Sequence, residues 1–232
     1  MAILKNEILE KVLREYPKLA TILNNNRTWV EISENELWQE LCLCIFSSNV
    51  PYELAQSVFF HLMKKGYLQL KWMTETPDSE KLVANELSKP LYLPKRVDGS
   101  YRKYRFPNMR ARDIYQAAKT VSSEKDWFSK LLAASTSQRE TRDSLVVNIS
   151  GIGLKEASHF LRNIRYSDKL AIIDSHVVSF LEKFEEIPRA NTKTITRKIY
   201  LELENRLLEI CDKNELNLSI FDMAIWHYMR RK

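Results

Sequence analysis

Glycine is scarce in this chain, and its distribution constrains the fold more than any other feature of the sequence. The 232 residues contain only four glycines, and two of these lie in Gly151-Ile152-Gly153. A chain so poor in glycine uses it where the backbone needs a positive φ or approaches another group closely. The residues that follow repeat at helical spacing as one apolar stripe: Ala157, Phe160, Leu161 and Ile164. The sequence therefore predicts a tight hairpin that leads into a helix.

A lysine follows this hairpin in an unusual position. The N-terminus of a helix presents free backbone N–H groups, and the helix dipole adds positive potential, so an anion such as phosphate is favoured there. Lys155 lies in the first turn of the predicted helix, where the same dipole disfavours an ammonium group. An amine that is kept neutral in such a place is a nucleophile. Gly151 and Gly153 are thus candidate phosphate ligands, and Lys155 is a candidate catalytic residue.

An aspartate at the end of an apolar run is the second chemical landmark. The run Leu170-Ala171-Ile172-Ile173 ends in Asp174, and a new apolar helix face begins at Val177. This pattern predicts that Asp174 caps the N-terminus of a helix, and capping alone would explain it. The alternative is a catalytic carboxylate in a sheltered place. It would share one cleft with Lys155 if the intervening helix folds back.

The whole chain has a net charge of +6, and its basic residues are concentrated in one stretch. Residues 95–112 contain seven lysines and arginines against a single acid, Asp98. Aromatic residues alternate with them, which suits a nucleic-acid backbone with exposed bases nearby. Arg102, Lys103 and Arg105 are the candidate phosphate contacts. A solvated basic loop is the alternative interpretation.

Helical periodicity dominates the rest of the sequence. Four segments each place their apolar residues on one helix face. These residues are Leu37, Leu41, Cys44 and Ile45 in the first segment, Leu54, Val58 and Leu62 in the second, Leu203, Leu207 and Ile210 in the third, and Phe221, Ala224 and Ile225 in the fourth. No sustained period-two alternation and no Asn-Gly or Asp-Gly hairpin signal is present. The predicted fold class is all-α, with a less regular basic stretch over residues 89–107.

Composition excludes several classes of protein. No window approaches ~18 uninterrupted apolar residues, and the first residues do not form a signal peptide, so we expect a cytoplasmic protein with no membrane partner. Three cysteines, Cys42, Cys44 and Cys211, suit neither a disulfide framework nor an iron–sulfur cluster, and we expect them to be buried. Four scattered histidines give no zinc-site spacing, so no metal site is predicted from side chains.

At several places in order along the chain the sequence resembles one enzyme family. Gly151-Ile-Gly-Leu-Lys155 followed by Ile172-Ile-Asp174-Ser-His is similar to the helix-hairpin-helix DNA glycosylases. Gly153-Leu-Lys-Glu-Ala-Ser-His-Phe-Leu-Arg-Asn163 narrows the resemblance to the archaeal-type (type 2) 8-oxoguanine DNA glycosylase/AP lyases. The likeness extends to four further segments: Glu40 to Asn49, Tyr104 to Ala111, Tyr200 to Glu204 and Phe221 to Trp226.

The resemblance implies a fold and a reaction. The fold would be one glycosylase unit over residues 1–232, with two helical subdomains flanking a cleft: residues 30–120, and residues 1–29 plus 121–232. The enzyme would act on double-stranded DNA with a modified base, 8-oxoguanine first, by rotating that nucleotide out of the duplex. Lys155 would form a Schiff base with the sugar and cleave the strand by β-elimination, and Asp174 would stabilise positive charge on the sugar. No organic cofactor is implied, although a monovalent cation can bind the hairpin through main-chain carbonyls. We expect a monomer, associated with the nucleoid.

The same resemblance assigns weaker roles to four residues. Asn49 would enter the space that the rotated base leaves, and a helix cap is the alternative. His159 and Trp226 would line the base pocket, and core packing is the alternative for both. Lys232 matches a terminal lysine of the family. Two departures bear on the substrate: Ser175 stands where the family commonly has arginine, and only six residues follow Trp226.

Three functions therefore compete at the level of sequence. The first is the bifunctional glycosylase/AP lyase, with 8-oxoguanine or another modified base, including one in foreign or phage DNA, as its target. The second is a non-catalytic helix-hairpin-helix module that binds DNA. This function does not explain why both Lys155 and Asp174 are present. The third is a helical interaction protein, in which the basic stretch is incidental.

Overall fold

The computed structural model describes residues 2–185 and 195–230. In these ranges the chain forms thirteen α-helices, with one 3-10 turn at Trp29–Glu31: α1 Ala2–Leu13, α2 Tyr16–Asn24, α3 Glu34–Phe46, α4 Tyr52–Lys64, α5 Leu70–Glu75, α6 Ser79–Leu87, α7 Pro107–Val121, α8 Trp127–Ala134, α9 Gln138–Asn148, α10 Leu154–Asn163, α11 Ser175–Glu185, α12 Arg197–Lys213 and α13 Leu218–Met229. The described part of the chain contains no strand, only an isolated antiparallel bridge between Tyr92 and Arg102. The all-α prediction is confirmed.

The chain divides into two compact units. Residues Ile32–Phe160 form what we call the central unit, and Met1–Glu31 with Leu161–Lys232 form the terminal unit. The boundary between them falls inside α10. These units place residues 121–160 with the middle of the chain, whereas the sequence-based division placed them with the termini, and that division into domains stays a prediction.

The central unit is built from amphipathic helices whose apolar faces are buried. Leu37, Leu41, Cys44 and Ile45 on α3 and Leu54, Val58 and Leu62 on α4 are at most 4% exposed, and each fully buried aliphatic side chain contributes roughly 1.5–3 kcal/mol. A capping box fixes the start of α3, because Ser33 and Glu36 satisfy each other's backbone N–H groups. Helix α7 begins with Pro107 at its first position and packs against α6 and α3. It is the helix that supports the hairpin described below.

Helix α13 is the centre of the terminal unit. It packs against α11, α2, α1 and α12, and its inward residues Phe221, Ala224 and Ile225 are fully buried. Leu203, Leu207 and Ile210 of α12 are also buried, as their spacing predicted. The unit therefore joins α1 and α2 to α11–α13 around one apolar core.

The remaining compositional predictions concern the cysteines and the membrane. Cys42, Cys44 and Cys211 are buried, as expected, and form no disulfide, and burial raises the pKa of Cys211 to about 12. None of the helices that the structure describes combines the length and the apolar character needed to span a bilayer. Groups of three or more metal-ligating side chains are absent from the same described residues.

Candidate active site

The predicted hairpin joins α9 to α10. Helix α9 ends at Asn148, α10 begins at Leu154, and Gly151 between them has a φ of +83°. A Cβ atom at Gly151 would lie 2.6 Å from the Cβ of Asp113, which is closer than packed atoms approach. Both the backbone angle and the close contact therefore require glycine here. Gly153 has neither constraint, since a Cβ there would meet its nearest neighbour, Glu156, at 3.5 Å.

A buried ion pair on α7 supports the hairpin. Arg110, only 4% exposed, donates to Asp113 Oδ2 at 2.8 Å, and Asp113 Oδ1 accepts from the Ser150 hydroxyl at 3.1 Å. The same guanidinium lies 3.5 Å from the carbonyl oxygen of Gly151 and 3.4 Å from that of Ser48. One side-chain pair thus contacts both the hairpin and the turn that precedes Asn49. The candidate residues predicted from the sequence do not include this pair, although an acid three residues after an arginine on one helix is the signal for it.

Lys155 is the second residue of α10, and its side chain is 32% exposed. Its Nζ lies 3.6 Å from Glu156 Oε1, while Glu156 Oε2 accepts a hydrogen bond from the Gly153 N–H at 3.2 Å. The Glu156 side chain therefore satisfies the first free amide of the helix, as in half of a capping box. That amide, a predicted phosphate ligand, is occupied by a carboxylate of the protein itself.

His159 and Asn49 also belong to the central unit. His159 lies one helical turn after Lys155 and is half-buried, with its ring centroid 6.2 Å from that of Tyr52. Asn49 is exposed and has a φ of +58°, a left-handed conformation that asparagine tolerates better than most residues. The helix cap offered as its alternative is not its role, because Pro51 occupies the N-cap position of α4.

The basic stretch forms a groove beside Asn49. The groove has a volume of about 400 Å³ and is lined by nine residues: Asn49, Val50, Pro51, Leu54, Arg96, Arg102, Lys103, Tyr104 and Arg105. We call it the basic groove. The aromatic residues of the stretch differ in their exposure. Tyr101 is 46% exposed beneath the Lys95 ammonium, but Tyr92 and Tyr104 are buried. Tyr92 and Tyr104 therefore pack in the core and do not present their rings to bases, contrary to what the alternation of basic and aromatic residues favoured.

Asp174 caps α11, as the sequence predicted. Its Oδ1 accepts from the N–H groups of His176 at 2.8 Å and Val177 at 2.9 Å. Its Oδ2 accepts no hydrogen bond from any residue in the described ranges. The side chain is only partly buried, so this second oxygen is available to another group.

The segment before Asp174, residues 170–173, belongs to no helix or strand and is buried. Its backbone is bonded to side chains of α12 and α13, namely Tyr200, Glu204 and Asp222. Asp222 is completely buried beside Arg162 at 3.2 Å, and burial, reinforced by the charge of Asp174, raises the pKa of Asp222 to about 7. The sequence favours a structural role for Asp222, but it gives no local signal for the contacts of Tyr200 and Glu204, which join residues 27 to 33 positions apart.

Comparison with known proteins decides the family. The sequence model of the 8-oxoguanine DNA glycosylase family (Ogg-HhH) matches residues 92–216, which include the hairpin, Lys155 and Asp174. The chain belongs to the 8-oxoguanine DNA glycosylase family. It is 33% identical to the 8-oxoguanine DNA glycosylase/AP lyase of Saccharolobus solfataricus, over 84% of each chain. It is 34% identical to that of Sulfurisphaera tokodaii, over 87% of this chain and 84% of the other.

Solved structures agree with this assignment to the 8-oxoguanine DNA glycosylase family. The 8-oxoguanine glycosylase/lyase of Methanocaldococcus jannaschii, in complex with a 15mer DNA containing 8-oxoguanine, is similar with a TM-score of 0.75 and 27% identity, covering 97% of this chain and 98% of that one. The 8-oxoguanine DNA glycosylase of Thermotoga maritima is similar with a TM-score of 0.72 and 25% identity, covering 98% of both chains. The resemblance inferred from the motifs is confirmed.

Two further residues predicted for the base pocket, Trp226 and Lys232, lie near the C-terminal end of the sequence. Trp226, half-buried on α13, has its ring 6.5 Å from that of His176, and the Arg230 guanidinium lies 4.2 Å above it. Trp226 and Asp174 thus belong to the terminal unit, whereas Lys155, His159 and Asn49 belong to the central unit. Lys232 lies outside the described residues, and its role stays a prediction.

Proposed function

We propose that the protein excises 8-oxoguanine from double-stranded DNA and then cleaves the strand, as a bifunctional glycosylase/AP lyase in base excision repair. The observation that carries this proposal is the position of Lys155, two residues after a glycine hairpin and in the first turn of α10. Family membership supports it, because the curated relatives are named 8-oxoguanine DNA glycosylase/AP lyase. A target base within a duplex must first be rotated into a pocket.

Lys155 is the proposed nucleophile. Its neutral amine attacks C1′ of the rotated nucleotide, and the bond from C1′ to the base breaks with its electron pair going to the base, which takes up a proton. Opening of the sugar ring converts the new C–N bond to a protonated Schiff base. Removal of a proton from C2′ then expels the 3′ phosphate and nicks the strand, and water releases the lysine. Partial exposure of Lys155 is compatible with access to the DNA.

Asp174 is the proposed electrostatic partner of this reaction. The departing base leaves positive charge on the sugar, and a fixed carboxylate stabilises that charge most strongly where water is excluded. The capping bonds occupy one oxygen of Asp174 and leave Oδ2 for the sugar. Such a carboxylate also assists the proton transfers.

The DNA path would follow the hairpin and the basic groove. Gly151 and Gly153 would approach a phosphate beside the lesion, and Arg102, Lys103 and Arg105 would contact the backbone from the groove. Asn49, exposed at the edge of that groove, would enter the stack that the target base leaves. His159, Trp226 and Lys232 are the proposed base-pocket residues.

The proposal needs no organic cofactor. A monovalent cation at the hairpin would require free main-chain carbonyls, and the Gly151 carbonyl already lies 3.5 Å from the Arg110 guanidinium. A cation therefore takes no part in the proposed reaction. The protein is proposed to act as a monomer in the cytoplasm, at the nucleoid.

Borohydride trapping tests the assignment of Lys155. On a duplex containing 8-oxoguanine, the wild-type protein should form a covalent adduct that survives denaturing electrophoresis, and Lys155→Gln should form none. Lys71→Gln is the matched control, because Lys71 is an exposed lysine in the same unit, with 83% of its side chain accessible. Unchanged DNA affinity of Lys155→Gln would show that the variant is folded. An adduct at the wild-type level would mean that another amine is the nucleophile, and binding without any wild-type adduct would favour a non-catalytic module.

A further inference from the structure

The segment before Asp174 buries backbone polar groups that its own residues do not pair. Residues 170–173 belong to no helix or strand, yet Leu170, Ala171, Ile172 and Ile173 are at most 7% exposed. Buried backbone N–H and C=O groups must find hydrogen-bond partners, because an unpaired one costs about 1–3 kcal/mol. Regular secondary structure provides none of those partners here.

Side chains from two later helices provide them instead. The hydroxyl of Tyr200 donates to the Ala171 carbonyl at 2.6 Å and accepts from the Ile173 N–H at 3.3 Å. The carboxylate of Glu204 accepts from the Ala171 N–H at 3.1 Å. That of Asp222 accepts from the Ile172 N–H at 3.2 Å. Three consecutive N–H groups are therefore bonded to three different side chains, which we call the clamp.

The clamp is itself held rigidly. Tyr200 and Glu204 are one turn apart on α12 and are 4% and 0% exposed. Asp222, on α13, is 2% exposed and forms its ion pair with Arg162. Helices α12 and α13 pack against each other, so the three side chains keep a fixed spacing. A buried tyrosine and two buried carboxylates are costly to place in a core unless each is bonded, and the segment is what they bond.

Asp174 is consequently fixed from both sides. The last clamp bond reaches the residue immediately before it, at Ile173, and the capping bonds to His176 and Val177 lie immediately after it. These contacts leave the backbone of Asp174 little freedom and give its Oδ2 one direction. A reacting group displaced by about 1 Å can lose about a hundredfold in rate.

We propose that Tyr200, Glu204 and Asp222 are positioning residues, which set the direction of the Asp174 carboxylate for the chemical step. The inference rests on the catalytic role proposed for Asp174. It assigns a purpose to Tyr200, Glu204 and Asp222, which the reaction itself does not use. The clamp touches neither DNA nor the base in this scheme and acts only through Asp174.

A double-mutant cycle tests the clamp. Tyr200→Phe removes one oxygen and keeps the ring, so the fold should lose about 1–3 kcal/mol. Single-turnover excision, measured well below the melting temperature, should slow by about ten- to a hundredfold with DNA affinity unchanged. In the Asp174→Asn background, which is slow by itself, the same change should slow excision no further, since the residue being positioned is already disabled.

A matched control separates positioning from general loss of stability. The Tyr16 hydroxyl, in the same unit, accepts from the Asn217 N–H at 2.8 Å, so Tyr16→Phe also removes a hydroxyl bonded to backbone. It should lower the melting temperature and leave the excision rate unchanged. If Tyr200→Phe behaves in the same way, or if it slows the Asp174→Asn protein by the same factor as the wild type, the clamp is only structural and the proposal is wrong.

Glu204 offers a second test if Tyr200→Phe folds poorly. Glu204→Gln keeps an oxygen that can accept from Ala171, whereas Glu204→Met has similar length and no such acceptor. Excision should be near the wild-type rate in the first variant and slow in the second. Wild-type rates in both would overturn the proposal. If Asp174→Asn alone proves as fast as wild type, the role of Asp174 in the proposed function fails and the clamp proposal with it. A slow Asp174→Asn with fast clamp variants rejects the clamp alone.

Discussion

Two short non-helical segments each deliver a candidate catalytic side chain to the start of a helix, and they are stabilised in different ways. The hairpin before Lys155 depends on Gly151, whose positive φ and close contact with Asp113 admit no side chain. The segment before Asp174 contains no glycine, and its backbone is held by hydrogen bonds to Tyr200, Glu204 and Asp222. The hairpin thus depends on its own glycine together with the α7 pair beneath it, whereas the segment depends on side chains of α12 and α13.

The two regions are therefore vulnerable to different substitutions. A substitution within the hairpin should damage it directly, while the segment should be more sensitive to changes in α12 and α13 than its own apolar side chains suggest. The supporting charges also differ. Arg110 and Asp113 form a compact pair beneath the hairpin, whereas Asp222 is an acid whose burial opposes ionisation.

The largest expected effect is on the hairpin. Gly151→Ala should destabilise the protein by about 2–4 kcal/mol, because a left-handed residue costs about 1–2 kcal/mol and overpacking adds a similar amount. Gly153→Ala should cost less than about 1 kcal/mol, since its backbone and surroundings admit a methyl group. Urea unfolding of both variants measures the two losses. Equal losses would mean that the hairpin is not held by Gly151 in particular.

A smaller effect is expected from the titration of Asp222. Its pKa of about 7 lies above the ordinary value of 3.8, so the folded state holds this proton more tightly than the unfolded state does. The contribution of the protonated Asp222 carboxyl to the free energy of unfolding is fully present below about pH 4. It is lost as the pH rises through 7. Between pH 5 and 8 the wild type should therefore lose about 2–3 kcal/mol more than Asp222→Asn, as measured by urea unfolding at both values.

The control for this pH effect is Asp212→Asn, which makes the same change at an exposed position on α12. It should follow the wild-type curve. If Asp222→Asn follows that curve too, Asp222 is already ionised across this range, and the segment is held by charge in the same manner as the hairpin.

The smallest expected effect is on the salt dependence of DNA affinity. It should distinguish the proposed DNA-binding region from the segment before Asp174. Each phosphate contact adds about 0.9 to the slope of log affinity against log salt concentration. Replacing Arg102, Lys103 and Arg105 by glutamine should flatten that slope by up to about 2.7, or roughly sixfold in affinity for each doubling of salt. Binding of a duplex followed by fluorescence anisotropy measures it.

Two comparisons sharpen the salt experiment. Glutamine at Lys71, Lys81 and Lys125, three exposed lysines of the central unit, changes the net charge equally and should leave the slope nearly unchanged. Tyr200→Phe should not alter it either, because the clamp lies off the proposed DNA path. An unchanged slope in the arginine and lysine triple variant would remove the basic groove from that path.

Local signals made much of the fold and part of the site predictable. Helix faces follow from apolar spacing, the hairpin from paired glycines, and the cap of α11 from an aspartate before an apolar helix, since each depends on neighbours in sequence. The Arg110 contacts with Gly151 and Ser48 and the clamp join residues 27 to 62 positions apart. No periodicity encodes such contacts. Burial of Tyr92 and Tyr104 was likewise invisible, because tertiary packing decides which face of an irregular stretch is covered.

The contact between Glu156 and the Gly153 amide has a consequence for how anions meet the hairpin. A phosphate that arrives there exchanges with a carboxylate that is already bonded, at 3.2 Å, and does not fill a vacancy. Exchange conserves the number of hydrogen bonds, so this amide alone adds little net affinity. The displaced carboxylate is also the ion-pair partner of Lys155, at 3.6 Å. Occupancy of the hairpin and the surroundings of the nucleophile are thereby linked through a single side chain.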